Sequence, residues 1–148
     1  MGNCDCESFK SKQKISNFLP NIRKGPPLIR CTYDVKDYNL VQIMNNRGEK
    51  YINEEIESKI KILNGDKREP LVFQKKFSSP GMNTIIFIIE GNLNNMSYLF
   101  NKCISLKKVE FFSFENIRAT KMIATFQMCE QLEYLDISNL NTSNVTSM

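Results

Sequence analysis

The chain has 148 residues, 41% of them hydrophobic and 24% charged, which suits one or two small globular domains. Its formal net charge of +4 is modest, and no stripe of basic and aromatic residues predicts binding to nucleic acid. Histidine, a glycine-rich phosphate loop and a dinucleotide fingerprint are all missing from the sequence, so we predict a protein that is not an enzyme and uses no metal or cofactor.

The N-terminus carries an acylation pattern. Gly2 is the residue that accepts myristate once the initiator methionine is removed, although the motif asks for Ser or Thr where this chain has Cys6. A single acyl chain binds membranes only marginally, so a second signal is needed. Cys4 and Cys6 are candidate palmitoylation sites, and five basic residues can face anionic lipid, each contributing on the order of 1 kcal/mol. The basic residues are Lys10, Lys12, Lys14, Arg23 and Lys24.

We therefore predict that residues 1–27 form a disordered tether that is anchored by lipid and assisted by basic side chains. The alternative is a disordered start with two incidental cysteines. The sequence contains no run of 18 apolar residues, so we predict no membrane-spanning helix. The N-terminus also lacks an apolar signal-peptide core.

Residues 28–92 are predicted to form a small β-rich domain. Four segments rich in β-branched and aromatic residues predict strands, at 28–35, 38–44, 71–77 and 84–90. The first two are predicted to pair as a hairpin around Asp37. Residues 51–63 fit either a helical face or a strand that enters a turn at Gly65, and we favour a short acidic loop followed by a strand. The resulting antiparallel sheet or sandwich is expected to cover the first edge of the region that follows, with an independent binding role as the alternative.

The C-terminal region, residues 93–148, contains an internal repeat, because residues 96–111 align without a gap on residues 122–137. In each copy Met, Phe and Cys are spaced i, i+4, i+7, which predicts one face of a short helix, and Asn94 or Thr120 is its predicted N-cap. The L-x-x-L-x-L pattern that follows predicts a short strand with one buried face. The predicted repeat core comprises Met96, Phe100, Cys103, Leu106, Val109 and Phe111 in the first copy and Met122, Phe126, Cys129, Leu132, Leu135 and Ile137 in the second.

Residues between the apolar strand positions are predicted to point outward, so Glu110, Tyr134 and Asp136 form a candidate binding face. Cys103 and Cys129 occupy the same repeat position and are predicted to be small buried hydrophobic residues rather than a disulfide, which would need an oxidising compartment. Two copies are fewer than the three that such stacks generally need. We therefore expect the region to be truncated, with an apolar end that a partner, a second copy of the chain or further repeats would cover.

The second copy resembles a known family. The pattern Met-x3-Phe-x2-Cys-x2-Leu, followed by Leu-Glu-Tyr-Leu-Asp-Ile-Ser-Asn-Leu-Asn-Thr-Ser-Asn-Val-Thr-Ser-Met, is similar to the BspA-like leucine-rich repeats of bacterial surface proteins, mycoplasma lipoproteins and protists. The first copy departs from the pattern over residues 111–120, as a terminal capping repeat does. The resemblance implies a curved β/α solenoid used for protein recognition, with no catalytic residues to transfer.

The predicted fold class is therefore α+β, with a small antiparallel sheet or sandwich followed by a short β/α leucine-rich-repeat solenoid. The predicted function is a non-catalytic protein-protein interaction module on the cytoplasmic leaflet of a membrane, whose partners are membrane lipid, an unidentified protein and a second copy of the chain. The alternative is a cell-surface adhesion or recognition protein. In that case Asn95, Asn141 and Asn144, which begin glycosylation sequons, would be modified.

Overall fold

A computed structural model describes residues 25–45 and 53–148. The predicted acylation sites and lipid-facing basic residues all lie outside these described residues. The described part is mostly β-structure with one short helix. Its elements are β1 (Leu28–Val35), β2 (Leu40–Gln42), α1 (Glu54–Lys59), β3 (Ile60–Asn64), β4 (Lys67–Pro70), β5 (Gln74–Lys76), β6 (Gly81–Ile89), β7 (Leu106–Phe112) and β8 (Tyr134–Asp136).

Six of the strands form one mixed sheet in the order β4-β3-β6-β1-β7-β8. All neighbours in it are antiparallel except β7 and β8, which are parallel. The alternate residues of β1 are buried, because side chains on a strand point to opposite faces and one face of this sheet covers the core. At the centre Cys31 lies opposite Ile85 on β6 and Val109 on β7. β2 and β5 form a separate two-stranded sheet.

The hydrophobic core joins the strands of the N-terminal part to the repeat region. Phe87 on β6 and Phe100 in the first repeat copy are both fully buried, with ring centroids 6.5 Å apart. Tyr33 on β1 is also fully buried, and its hydroxyl donates to the carbonyl oxygen of Ile43 at 2.5 Å. The phenol therefore contributes its apolar ring to the core without leaving a buried donor unpaired.

The predicted α+β class with a leucine-rich-repeat solenoid is wrong. The described residues contain one helix of six residues, α1, and a six-stranded mixed sheet, and they form no solenoid. The strands of the repeat region, β7 and β8, extend the sheet that begins in the N-terminal part instead of forming a separate structure. The reason is that β1, with a fully buried inner face, pairs along both of its edges, with β6 and with β7.

The helix predicted from the Met, Phe and Cys spacing is also wrong, because residues 97–102 form turns. Tyr98 and Lys102 both have φ +60°, a left-handed conformation that an α-helix of L-residues does not accommodate. Backbone amides at positions 96, 98, 100 and 102 donate to carbonyls at 121, 123, 125 and 127, at 2.8 to 2.9 Å. These amides thus donate to the second copy of the repeat and do not form the hydrogen bonds of a helix.

Two predictions for the N-terminal part also fail. β1 and β2 do not form a hairpin, because β1 is a central strand whereas β2 pairs with β5. The acidic segment predicted as a loop is α1, which has Asn53 as its N-cap and three glutamates in its first turn, where they oppose the positive end of the helix dipole. The turn predicted at Gly65 is confirmed. It joins β3 to β4, and φ of +60° at this glycine suits a two-residue hairpin loop.

Candidate interaction surface at the β8 edge

The two copies of the repeat, residues 94–119 and 120–145, are called copy one and copy two. β7 of copy one and β8 of copy two pair in register, with Val109 opposite Leu135. Asn95, Lys121 and Ser147 form successive parallel bridges with the same spacing of 26 positions. The sequence offset is therefore the register in which the two copies contact each other.

The side of copy one that faces away from copy two is closed by residues at the start of α1. The side-chain amide of Asn53 donates to the carbonyls of Asn95 at 2.8 Å and Ser97 at 3.0 Å. The Glu55 carboxylate accepts from the backbone amides of Asn94 at 2.7 Å and Asn95 at 3.1 Å. Partial burial opposes ionisation of Glu55, but these amides and nearby Lys59 lower its pKa below the ordinary value. On this side of copy one, the Asn53 amide and the Glu55 carboxylate therefore pair with its backbone carbonyls and amides.

The side of copy two that faces away from copy one is only partly covered. The Met122 amide donates to the Ser147 carbonyl at 2.8 Å. Further along, the amides of Ala124, Phe126 and Met128 have no hydrogen-bond acceptor among the described residues, whereas their equivalents in copy one are paired with copy two. Three backbone donors at two-residue spacing therefore remain available.

Apolar side chains accompany these open amides. Leu135 is 40% exposed and Ile137 is 43% exposed, although their equivalents in copy one, Val109 and Phe111, are fully buried. The ring of Phe126 stacks on that of Phe100 at a centroid distance of 5.7 Å and is itself only half-buried. Because large apolar residues rarely cluster on a free surface without a role, this region is the strongest candidate for an interface. We call it the β8 edge, defined by β8, residues 124–128 and the side chains of Phe126, Leu135 and Ile137.

The opposite edge of the same sheet is protected. β4 has the sequence Lys-Arg-Glu-Pro and is mostly exposed. Charged side chains discourage a second strand from approaching, and proline supplies no backbone donor for pairing. The β8 edge has neither device over Tyr134 and Leu135, which are both exposed. The β4 edge thus carries charges and a proline that oppose strand addition, whereas two of the three residues of β8 are uncharged and exposed.

The predicted binding face divides into a closed part and an open part. Glu110 is buried, and its carboxylate accepts two hydrogen bonds from the Arg30 guanidinium at 2.6 and 2.9 Å. Lys108 lies 3.1 Å away on the same carboxylate. Partial burial opposes ionisation, but these two cations lower the pKa of Glu110 below its usual range. Glu110 therefore has a structural role in the sheet and is not available to a partner.

Tyr134 and Asp136 form the open part of that face. Tyr134 is 49% exposed, and the ammonium of Lys108 lies 4.6 Å from the centre of its ring. Asp136 accepts a hydrogen bond from the backbone amide of Ser138 at 2.9 Å. Hydrogen bonds from Ser138, with a smaller contribution from Lys108, lower the pKa of Asp136, so this carboxylate is ionised at neutral pH.

The predicted repeat core is buried in copy one and largely open in copy two. All six of its copy-one residues are fully buried. In copy two Met122 is buried, whereas Phe126, Cys129 and Leu132 are half-buried. Equivalent positions are therefore more deeply buried in copy one, which lies between β1 and copy two, than in copy two.

The cysteines of the described residues are free thiols. Burial raises the pKa of Cys31 and of Cys103. Burial also raises the pKa of Cys129, to about 11, and its thiol donates to the carbonyl of Phe100 at 3.0 Å. In this structure the three cysteines pack as small hydrophobic groups. Because the thiolate is the reactive form of cysteine, they are poor nucleophiles at neutral pH.

Within the described ranges no three or more Asp, Glu, Cys or His side chains are grouped so that they could hold a metal ion. Among the same residues no helix has the length and hydrophobicity to cross a membrane.

The sequence interpretation missed the cap formed by Asn53 and Glu55 and the open amides of copy two. An Asn directly before an acidic run is an N-cap signal, so α1 was recognisable in principle. The bonds from Asn53 to residues more than 40 positions away depend on chain packing and carry no local signal. The same holds for the amides of Ala124, Phe126 and Met128, which lack an acceptor among the described residues.

Comparison with protein-family models, with curated proteins and with solved structures finds no match. A functional assignment therefore depends on the geometry described above and on the motifs in the sequence.

Proposed function

We propose that this chain is a non-catalytic interaction module that binds a partner protein along the β8 edge and is held at the cytoplasmic leaflet of a membrane by acylation of Gly2. The observation that supports the binding role is the exposure of Leu135 and Ile137, whose copy-one equivalents are fully buried. Similarity of the copy-two motif to BspA-like leucine-rich repeats, which serve protein recognition, points in the same direction.

Strand addition is the mode of binding that this edge favours. An incoming strand satisfies main-chain hydrogen bonds along an open sheet edge, and alternate side chains supply specificity. β8 is the outermost strand of its sheet, and its Tyr134 and Leu135 are exposed to an incoming chain. Burial of such apolar groups contributes about 25 cal/mol per Å² of area removed from water, so the side chains add to the binding free energy.

Photo-crosslinking in cells tests this binding mode. Benzoylphenylalanine is placed at Tyr134 on the β8 edge and, as a matched control, at Lys67 on the β4 edge of the same sheet. We expect protein adducts from position 134 that disappear in a Leu135→Asp background, and few adducts from position 67. Equal labelling from the two edges, or labelling at 134 that ignores Leu135→Asp, would contradict the proposal.

The tether is proposed from the sequence, since Gly2, Cys4 and Cys6 lie outside the described residues. Two acyl chains, or one acyl chain with basic residues, are enough for stable membrane attachment. The five basic residues between Lys10 and Lys24 supply the electrostatic part.

Metabolic labelling with a clickable myristate analogue tests the tether, with Gly2→Ala as the matched variant. We expect label and membrane retention in the wild type and loss of both in the variant. A wild-type protein without label, whose mass falls on glycosidase treatment because Asn95, Asn141 or Asn144 is modified, would sink the tether and favour a cell-surface protein.

A further inference from the structure

We infer that a segment of the chain's own N-terminal part, residues 15–22, packs against the outer face of the six-stranded sheet, which is the face that points away from the core. This contact is intramolecular and does not use the β8 edge, so it goes beyond the function proposed above. Three features support it: an apolar patch on the outer face, the burial of one residue of that patch, and the point at which the chain enters β1.

The outer face is apolar at the end where β1 begins. There Leu28 lies opposite Ile88 on β6 and Phe112 on β7. In the next row Ile86 on β6 lies opposite Leu63 on β3. We call these five residues the outer patch. Four of them are half-buried, and Ile88 is buried.

The other end of the outer face is polar. Thr32 and Thr84 lie opposite each other there, and their hydroxyl oxygens are 3.3 Å apart. An antiparallel sheet with one solvated face alternates apolar and polar residues along its strands. Residues 85–89 of β6 are instead a continuous apolar run, which is typical of a strand that is buried on both faces. The outer patch therefore has the composition of a covered surface.

The burial of Ile88 indicates that a second layer lies over the patch. Phe87 and Ile89 belong to the core cluster and Ile88 does not, so Ile88 between them points to the outer face. It is nevertheless only 3% exposed. Among the described helices and strands, the close contacts of β6 are with β1 and β3, which lie beside it in the sheet. The covering layer therefore comes from a part of the chain outside the described ranges.

Of the two such parts, residues 46–52 are badly placed to cover the patch. This stretch is short and mostly polar, and it joins Asn45 to Asn53. The Asn45 amide donates to the Leu99 carbonyl at 2.9 Å, and the Asn53 side chain donates to the Asn95 carbonyl at 2.8 Å. Both ends are thus held at copy one, whose Phe100 packs on the core side of the sheet.

Residues 1–24 precede the patch directly. Leu28 is both the first residue of β1 and a member of the patch, and the carbonyl of Pro27 accepts from the Ile89 amide at 2.9 Å. Ile22 is six positions before Leu28, a distance of at most about 22 Å along an extended chain. Between the basic residues at 14 and 23 the segment carries the apolar residues Ile15, Phe18, Leu19 and Ile22. It can therefore reach the patch and bury these side chains against it.

Docking of this segment shortens the tether. Residues 3–14 then separate Gly2 from the docked part, and they span at most about 43 Å when fully extended. Residues 3–27 would span up to about 90 Å. The docked segment therefore keeps the outer face of the sheet close to the proposed site of acylation.

Photo-crosslinking within the purified full-length chain tests the contact. Benzoylphenylalanine replaces Phe18, the chain is irradiated at micromolar concentration, and adducts are mapped by peptide fragmentation. We expect adducts within one molecule at residues 86–88 or at Phe112. Ile86→Lys should lower their yield about fivefold, because docking would bury the new charge. Thr84→Lys, two positions away on the same face of β6, is the matched control and should leave the yield unchanged. Circular dichroism verifies that both variants are folded.

Trypsin cleavage after Arg23 is a second measurement, and its variants leave the sheet unchanged. Phe18→Asp combined with Leu19→Asp should raise the rate of cleavage about tenfold, because a protease acts on the undocked state. Ser16→Asp combined with Asn17→Asp introduces the same charge next to the apolar residues and should leave the rate close to that of the wild type.

Adducts from position 18 that map elsewhere in the chain, or that do not respond to Ile86→Lys, would overturn the inference. Equal cleavage of the two double variants would do the same. Adducts that join two chains into a species of about twice 17.2 kDa would also overturn it, because the segment would then cover a second copy. So would adducts that form only with lipid, when vesicles of phosphatidylcholine and phosphatidylserine are added, since the segment would then bind the bilayer instead of the sheet.

Discussion

Copy one and copy two carry the same residue types at the same spacing in opposite environments. Val109 and Phe111 are fully buried, whereas Leu135 and Ile137 at the same positions are two-fifths exposed. Among the described residues copy one lies between β1 and copy two, while the far side of copy two is covered only by contacts from residues 146 and 147. The comparison shows that the burial of a side chain in this molecule depends on the strands beside it. A repeat pattern identifies which side chains can enter a core, and the adjacent strand decides whether they do.

The largest difference is expected at the stacked phenylalanines. Phe100→Ala removes a fully buried ring and leaves a cavity, so it should lower the free energy of unfolding by about 3–5 kcal/mol. Phe126→Ala removes a half-buried ring and should cost about 1–2 kcal/mol. Urea denaturation followed by circular dichroism measures both. Equal losses would mean that copy two is as enclosed as copy one.

The cap on copy one should give the next largest effect. Asn53→Ala removes the N-cap of α1 and the donors to two carbonyls of copy one, so we expect a loss of about 2–4 kcal/mol in the free energy of unfolding. Asn141→Ala in copy two affects a local turn in which the side chain accepts from Ser143 at 3.0 Å. It should cost under about 0.5 kcal/mol. A small loss for Asn53→Ala in the same denaturation assay would show that water replaces the cap.

The carboxylates of Glu110 and Asp136, at equivalent positions of the two copies, should respond differently to acid. The native pKa of Glu110 lies below the unfolded value of about 4.3, so the unfolded state binds protons more strongly and stability falls as pH drops from about 4.5 through the native pKa. Glu110→Gln should lower the free energy of unfolding by about 1–3 kcal/mol at pH 7, because the charged bonds to Arg30 are lost.

The Glu110→Gln variant should also show a shallower decline of stability below pH 4.5. Asp136→Asn, at the equivalent position of copy two, should have a smaller effect because its partner is the amide of Ser138 instead of a guanidinium. Stability curves measured at several pH values decide this, and parallel curves for Glu110→Gln and the wild type would contradict the assignment.

The smallest effect is kinetic and requires no mutation. Cys103 is fully buried, whereas Cys129 at the same repeat position is half-buried. Both should react slowly with iodoacetamide at pH 7, because burial raises both pKa values, that of Cys129 to about 11. Cys129 should nevertheless react on the order of tenfold faster, since it needs a smaller opening. Peptide mass mapping reports each site separately, and faster labelling of Cys103 would invert the comparison.

Sequence reasoning located several elements correctly. The strand predicted over 28–35 is β1, the strand predicted over 84–90 lies largely within β6, and the turn at Gly65 joins β3 to β4. These predictions rest on local chemistry, since β-branched residues favour extended backbone and glycine adopts positive φ readily. They succeeded where the local preference and the final packing agree.

Other predictions failed because tertiary contacts compete with local preference. The spacing of Met96, Phe100 and Cys103 suits one helical face, yet the backbone between them turns through left-handed residues and donates to copy two. Both arrangements direct the three side chains inward, so periodicity alone does not distinguish them. The predicted β1–β2 hairpin failed for a related reason: β1 has one buried face and pairs with β6 and β7, and these long-range pairings displace the pairing with its neighbour in sequence.

By itself the sequence determined the 26-position offset between the copies, the residue types that are able to enter a core and the N-terminal motif for acylation, because each of these depends on spacing or identity along the chain. The tertiary structure alone decided that β7 and β8 join the sheet of β1 and that Asn53 and Glu55 close copy one. It also decided that three amides of copy two, those of Ala124, Phe126 and Met128, have no acceptor among the described residues. These features depend on hydrogen bonds and contacts between residues distant in sequence, and such contacts exist only once the chain has folded.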